Sequence, residues 1–241
     1  MIDMKLISSR DIRNIYRTEM FHPSAQWYVL RSLPLGSVSA VIDIGAHVGM
    51  FSLLARFLHP NATVLAVEPH AASLDVLTEN AGRLNISVLR AALGDGRQFA
   101  LVNRRRPSEA AQYVAATEQS NPTTFVPSYH LHEFLHLVDK PKLETTFWKI
   151  DVEGAETNYV TGNRKARLVL CDSRGFILDV HTDWIWHWRR WVHALKSTHS
   201  LQCWYNKHPS ACVIAAVRHE TPNIKTYKWT IKRMYEEDPS G

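Results

Sequence analysis

A glycine-containing turn and a later carboxylate follow consecutive candidate strands. The turn at 43–49 (DIGAHVG) comes directly after the apolar run SAVIDI and directly before the helix-like stretch VGMFSLLARFL. Glycines at 45 and 49 permit a tight turn and close approach of the backbone to a ligand, and the helix start offers free N–H groups. Glu68 ends the next apolar run, where a carboxylate can accept both hydroxyls of a ribose. Together the two features predict a site for a nucleoside-containing cofactor.

The spacing of the glycines indicates which cofactor. A dinucleotide fingerprint has GxGxxG spacing, with the turn shaped around a pyrophosphate. Here three residues separate Gly45 from Gly49, and Asp43 stands two residues before the first glycine. An acid inside the turn repels a pyrophosphate, but it can pair with the cationic amino group of S-adenosylmethionine, directly or through water. The turn therefore favours S-adenosylmethionine over NAD.

A second group of acidic residues lies in the block FWKIDVEGAE at 147–156. Asp151 ends a candidate strand, and Glu153 and Glu156 lie in the turn and the first helical turn beyond it. Open α/β sheets bind their ligands at this carboxyl edge. Carboxylates there can hold a substrate hydroxyl or amine, act as general base or bind a cation. We predict a functional role for Asp151, whereas Glu153 and Glu156 are equally suited to complement the dipole of the following helix.

Two further candidates lie at the end of the strand-like run GFILDVH at 175–181. His181 can take the proton of an attacking hydroxyl, because a free imidazole titrates near neutral pH. A hydrogen-bonded structural histidine is the alternative. Asp179 and Asp151 would form a pair of carboxylates on neighbouring strand ends, which suits Mg²⁺. We nevertheless expect no metal requirement.

A parallel sheet is needed to bring these residues together. From residue 39 onward, short apolar runs alternate with amphipathic stretches in a βαβαβ pattern. This pattern is typical of an α/β fold, in which helices cover both faces of a parallel sheet. The predicted strands are 39–44, 63–68, 86–91, 98–102, 146–151 and 175–181, followed by a closing hairpin of 200–206 and 211–218.

The length of 241 residues, with 45% hydrophobic and 21% charged residues, predicts one folded domain with extensions. Residues 1–38 have the pattern of a mostly helical lead-in, 39–218 form the domain, and 219–241 form a charged tail. Residues 103–130 lack clear periodicity, which predicts a loop excursion and a candidate substrate lid.

The composition argues against several classes of protein. Three cysteines without a CxxC pair do not fit a disulfide scaffold or a four-thiolate zinc site. The first residues lack the apolar stretch of a signal peptide, and no run is long enough for a membrane span. We therefore expect a cytoplasmic protein. The net charge of +5 suits an anionic ligand or partner without identifying one.

Several of these segments resemble the FkbM family of S-adenosylmethionine-dependent methyltransferases. The resemblance is carried by VIDIGAHVGMFS, AVEP, NAGRLN, RAALGD and, most specifically, KIDVEGAE, and it spans residues 25–218. It implies a Rossmann-like class-I methyltransferase fold, with a mostly parallel seven-stranded sheet, helices on both faces and a C-terminal antiparallel hairpin. It also implies an enzyme that methylates a hydroxyl of a small molecule or sugar, or, in some members, a peptide amide.

The resemblance assigns roles to individual positions. By position these are Asp43, Gly45, Ala46, His47 and Gly49 around the methionine end of the cofactor, Glu68 at the ribose, Ala92 and Asp95 beside the adenine, and Asp151, Glu153 and Glu156 at the transferring methyl. Asp151 would thus border both cofactor and acceptor. Three positions depart from the family pattern. His47 replaces the usual Asn, His132 replaces an Asp that would cap a helix, and Asp179 replaces the usual Glu, which shortens its reach by one methylene.

Three other functions stay open at this point. One alternative is an N- or O-methyltransferase that acts on a peptide amide or on RNA. The arginines at 104–106 form the one tight basic run, which could receive a nucleic-acid backbone. The chain would alternatively be a non-catalytic cofactor-binding module, or a nicotinamide oxidoreductase. The glycine spacing and KIDVEGAE argue against the oxidoreductase. The acceptor and the oligomeric state are not predicted.

Overall fold

A computed structural model gives the fold, and its described residues form a large sheet with helices around it. They are 25–82, 84–96, 100–103, 112–115, 125–139, 141–152, 155–180, 195, 198–205, 212–219 and 230–233. The α-helices among them are α1 (Ala25–Ser32), α2 (Met50–Leu58), α3 (Ala71–Ala81) and α4 (Arg164–Asp172). The strands are β1 (Ala40–Ile44), β2 (Thr63–Val67), β3 (Ile86–Leu89), β4 (Ala92–Leu93), β5 (Ala100–Asn103), β6 (Gln112–Ala115), β7 (Phe125–Val126), β8 (Ser128–Tyr129), β9 (Thr146–Ile150), β10 (Gly175–Val180), β11 (His199–Tyr205), β12 (Cys212–Arg218) and β13 (Thr230–Arg233).

The main sheet has the strand order β3-β2-β1-β9-β10-β12-β11-β13. Strands β3, β2, β1, β9 and β10 are parallel, and β12 runs antiparallel to both β10 and β11. This arrangement confirms the predicted class-I methyltransferase fold with its C-terminal antiparallel hairpin. An eighth strand, β13, lies in the segment predicted as a charged tail and pairs in parallel with β11.

Helices cover both faces of the sheet, as predicted, because successive residues of the central strands point to opposite sides. On one face, Val41 and Phe147 pack in a core with apolar residues of α1, α2 and α3. On the other face, Ile42 and Trp148 pack with α4 and with the 3₁₀-helix Leu131–Leu137. The central strands β1 and β9 are buried along their whole length. The sheet is therefore a buried scaffold whose strand ends present the candidate residues.

The region predicted as a loop excursion contains short strands. Strands β5, β6 and β7 form a small antiparallel sheet, and β8 pairs in parallel with β4. The strands within it have two to four residues, so they are too short for a recognisable alternation of apolar and polar residues. After Asp151 the chain forms a π-helix, Thr157–Thr161, and then α4.

The helices in the described part of the chain are all too short or too polar to cross a bilayer.

Candidate active site

The turn after β1 is joined by hydrogen bonds to the strands on both sides of it. Gly45 and Ala46 each donate a backbone N–H to the carbonyl of Val67 at 2.9 Å, and the N–H of Asp151 reaches the carbonyl of Ile44 at 3.0 Å. Gly45 has a φ of +78°, and a Cβ at this position would lie 1.7 Å from the carbonyl oxygen of Asp151. A side chain cannot be accommodated there. The glycine at 45 therefore permits the close contact between the turn and the backbone of Asp151.

His47 has a left-handed backbone conformation, with a φ of +52°. Its backbone N–H donates to Oε2 of Glu68 at 2.8 Å. Histidine and asparagine adopt this conformation more readily than most residues, which gives a physical reason why His47 can stand where the family usually has Asn. Burial lowers the pKa of the His47 imidazole, and the nearby Lys149 lowers it further. The ring is therefore neutral at physiological pH.

Glu68 directly follows β2 and lies beside this turn, at the predicted place. Its Oε2 accepts from His47, and its Oε1 accepts from the N–H of His70 at 2.9 Å. The residue is only 6% exposed. Burial raises the pKa of Glu68 to about 7, although the two backbone N–H groups favour the charged form. The carboxyl group thus has a fixed orientation at the strand end.

Asp43 is fully buried and is held by protein partners. The Ser52 hydroxyl donates to Oδ2 at 2.6 Å, and Nζ of Lys149 lies 3.4 Å from Oδ1. Burial raises the pKa of Asp43, while Lys149 and Ser52 oppose that effect. This placement differs from the expectation that Asp43 pairs with the cofactor, because its carboxylate has no accessible surface and already contacts a protein cation.

Lys149 is a residue of this site that the sequence analysis does not predict. It pairs with Asp43 in the β1–β9 register. Its ammonium donates to the carbonyl of Gly45 at 2.7 Å and lies 3.5 Å from Oδ2 of Asp151. A lysine inside the apolar run FWKI was the available indication, because a buried lysine requires anionic partners. It is two residues before Asp151, so both side chains leave the same face.

Asp151 is the more accessible of the two carboxylates that Lys149 contacts. Its side chain is 25% exposed, whereas that of Asp43 is 0% exposed. Asp151 follows β9 directly and packs against the Gly45 turn. It therefore lies where the sequence predicts, at the carboxyl edge of the sheet, with a surface that a ligand can reach.

The other acidic candidates have different environments. Glu156 is fully buried, and its Oε1 accepts the N–H of Val152 at 2.9 Å. It therefore braces the turn after β9. This buried position differs from the expectation that Glu156 faces the transferring methyl group. The pairing of Ile150 with Leu178 makes Asp151 and Asp179 the next residues on adjacent strands. Within the described ranges, no three His, Cys, Asp or Glu side chains form a group suited to a metal ion. Glu153 and His181 lie outside the described residues.

The segment predicted to lie beside the adenine follows β3. Ala92 is buried, and its N–H donates to the carbonyl of Pro127 at 2.9 Å. That backbone donor is already used within the protein. Asp95 lies just beyond β4 and is exposed. Of the two predicted residues, Asp95 is thus the one whose side chain a ligand can reach.

Most of the chain matches a known domain family. The family model described as the methyltransferase FkbM domain matches residues 43–197. Among curated proteins, Methyltransferase 1 of Beauveria bassiana (strain ARSEF 2860) is 26% identical over 171 residues, covering 59% of this chain and 68% of that protein. Among solved structures, the methyltransferase FkbM from Methylobacillus flagellatus KT aligns with a TM-score of 0.48 and 14% identity, covering 76% of this chain and 45% of that one. The O-methyltransferase from Bacillus cereus in complex with SAH aligns with a TM-score of 0.47 and 13% identity, covering 81% of each chain.

Proposed function

Because the chain belongs to the FkbM methyltransferase family, we propose that it transfers a methyl group from S-adenosylmethionine to a hydroxyl of a small molecule or sugar. The family match begins at Asp43 and includes Glu68 and Asp151. The observation that carries the proposal is the placement of Glu68 and Asp151 directly after β2 and β9, the two strands that pair with β1 on either side of the Gly45 turn. This placement supports the proposal, because a nucleoside with a cationic tail needs acceptors for its ribose hydroxyls and for its amino group.

The described residues fit S-adenosylmethionine. The Glu68 carboxyl is fixed by two backbone donors and has remaining lone pairs for ribose hydroxyls. Asp151 offers an accessible carboxylate to a cationic amino group or to the acceptor. Asp95, which the resemblance assigns to the adenine, is exposed. Asp43, in contrast, supports this arrangement from inside the protein.

For methyl transfer to a hydroxyl, the protein has to align the acceptor oxygen with the methyl group and accept the proton of the hydroxyl. When bound, S-adenosylmethionine supplies a methyl group on a positively charged sulfur. The chain's contribution is to hold the acceptor oxygen in line with that methyl group, which alone accounts for much of the rate in such reactions. We propose that Asp151 accepts the hydrogen bond of the acceptor hydroxyl and takes its proton. His181 is the alternative base that the sequence predicts.

Thermal unfolding with S-adenosylhomocysteine, beside NAD, NADP and ATP, tests the cofactor. A ligand at a hundredfold excess over its Kd adds about 2.7 kcal/mol to the free energy of unfolding. For a chain of this length we expect Tm to rise by about 5–10 °C with S-adenosylhomocysteine and not with the other ligands. Glu68→Ala should abolish the shift, whereas Glu79→Ala, on the exposed side of α3, should retain it. A shift with a dinucleotide alone would contradict the proposal.

Transfer of a labelled methyl group from S-adenosylmethionine tests the acceptor class. The panel should contain sugars and small molecules with free hydroxyls, unstructured peptides and RNA. We expect label in the first group and loss of that label in Asp151→Asn. Label in RNA or peptide instead would leave the family membership intact and overturn the proposed acceptor.

A further inference from the structure

Lys149 makes more contacts than the neutralisation of a buried acid requires. Its side chain is 7% exposed, and its ammonium reaches both carboxylates and a backbone carbonyl. The shortest contact, at 2.7 Å, is to the carbonyl of Gly45 and not to either carboxylate. An ammonium has three donors, and here three oxygens surround it. Lys149 therefore connects three points of the site, namely the Gly45 carbonyl and the carboxylates of Asp43 and Asp151.

The backbone also holds Asp151 against the turn. Asp151 donates its N–H to Ile44, and its carbonyl leaves no room for a side chain at Gly45. These backbone contacts do not involve the Asp151 carboxylate. The ammonium 3.5 Å from Oδ2 supplies a side-chain contact that joins this carboxylate to the turn. It also offsets the repulsion between the carboxylates of Asp43 and Asp151.

We propose that Lys149 is a positioning residue that holds the Asp151 carboxylate and the Gly45 turn in the arrangement that receives S-adenosylmethionine. This inference rests on the proposed function. It assigns Lys149 no contact with the ligand, so its effect on binding passes through Asp151. The competing explanation is that Lys149 serves only as counter-ion to the fully buried Asp43.

Double-variant comparisons separate the two explanations. The affinity for S-adenosylhomocysteine is measured by calorimetry for the wild type, Lys149→Met, Asp43→Asn and Asp151→Asn, and for Lys149→Met combined with each of the other two. Lys165→Met, on the exposed surface of α4, is the matched control. Circular dichroism melts identify variants that do not fold. If Lys149→Met alone does not fold, its combination with Asp43→Asn removes both members of the buried pair and keeps the test possible.

We expect Lys149→Met to weaken the affinity for S-adenosylhomocysteine by about tenfold, because residues in contact typically have a coupling energy of this size. We expect the same loss when the change is added to Asp43→Asn, and no further loss when it is added to Asp151→Asn. The opposite pattern would show that Lys149 acts through Asp43 and would overturn the inference, as would unchanged affinity in Lys149→Met. Failure of the wild type to bind S-adenosylhomocysteine would instead overturn the proposed function, before any variant is compared.

Discussion

Glu68 carries its carboxyl group almost wholly inside the protein, between the N–H groups of His47 and His70. Burial raises its pKa to about 7, so the group is partly protonated at neutral pH in the free protein. A ribose would donate two hydroxyl hydrogen bonds to this carboxyl, which favours its ionised form. Binding at this position is therefore coupled to the loss of a proton.

The affinity for S-adenosylhomocysteine should consequently depend on pH. Below pH 7 the ligand has to displace a proton from Glu68, so we expect affinity to fall by up to about tenfold per pH unit on acidification from pH 7. Above pH 8 it should level off. Calorimetry from pH 5.5 to 8.5 in two buffers of different ionisation enthalpy measures both the affinity and the protons released.

Glu68→Gln is the control for this pH dependence, because the amide does not titrate in that range. Its affinity should be lower and independent of pH. A wild type whose affinity is constant over the same range would show that ligand binding is not coupled to ionisation of Glu68.

The elements that hold these residues were largely predictable, while the side-chain pairings were not. The alternation of apolar runs and amphipathic stretches predicts β1, β2 and β9, and hence the strand-end positions of Glu68 and Asp151. The contact of Asp43 with Lys149 joins segments far apart in the chain, and no local pattern specifies it. The inward position of Glu156 likewise depends on how the turn after β9 closes.

The contact between the turn after β1 and the backbone of Asp151 can be tested by substitution of glycines. Gly45 and Gly36 have nearly the same φ, +78° and +80°, but a Cβ at Gly36 would meet no atom within 4 Å. Gly36→Ala should therefore cost only the left-handed strain, about 1–2 kcal/mol. Gly45→Ala adds a collision with the backbone of Asp151, so we expect a loss of about 4 kcal/mol or more. Urea denaturation measures both, and equal losses would contradict the described contact between the turn and Asp151.

At the scale of the whole molecule, the two edges of the sheet have different roles. The carboxyl edge holds Glu68 and Asp151, whereas the amino edge ties strands and helices together. There the N–H of Arg174 donates to carbonyls of Leu143 and Thr146, and its own carbonyl accepts from Arg218. Changes at the amino edge should therefore alter stability without altering ligand affinity.

His199, at the start of β11 on the amino edge, offers the test of this separation. Its ring is buried beside Phe176, with Nδ1 2.8 Å from the Thr198 hydroxyl, and burial lowers its pKa to about 4. The unfolded chain binds this proton near pH 6.5, so the free energy of unfolding should fall between pH 6.5 and 4, by at most about 3 kcal/mol. In His199→Gln that part of the pH dependence should disappear, while the exposed His136→Gln retains it. Urea denaturation across this range, with S-adenosylhomocysteine affinity measured at pH 7.5, checks both halves. Equal pH slopes in the wild type and His199→Gln would show that His199 does not cause this pH dependence. A loss of affinity in that variant would show that the two edges are not independent.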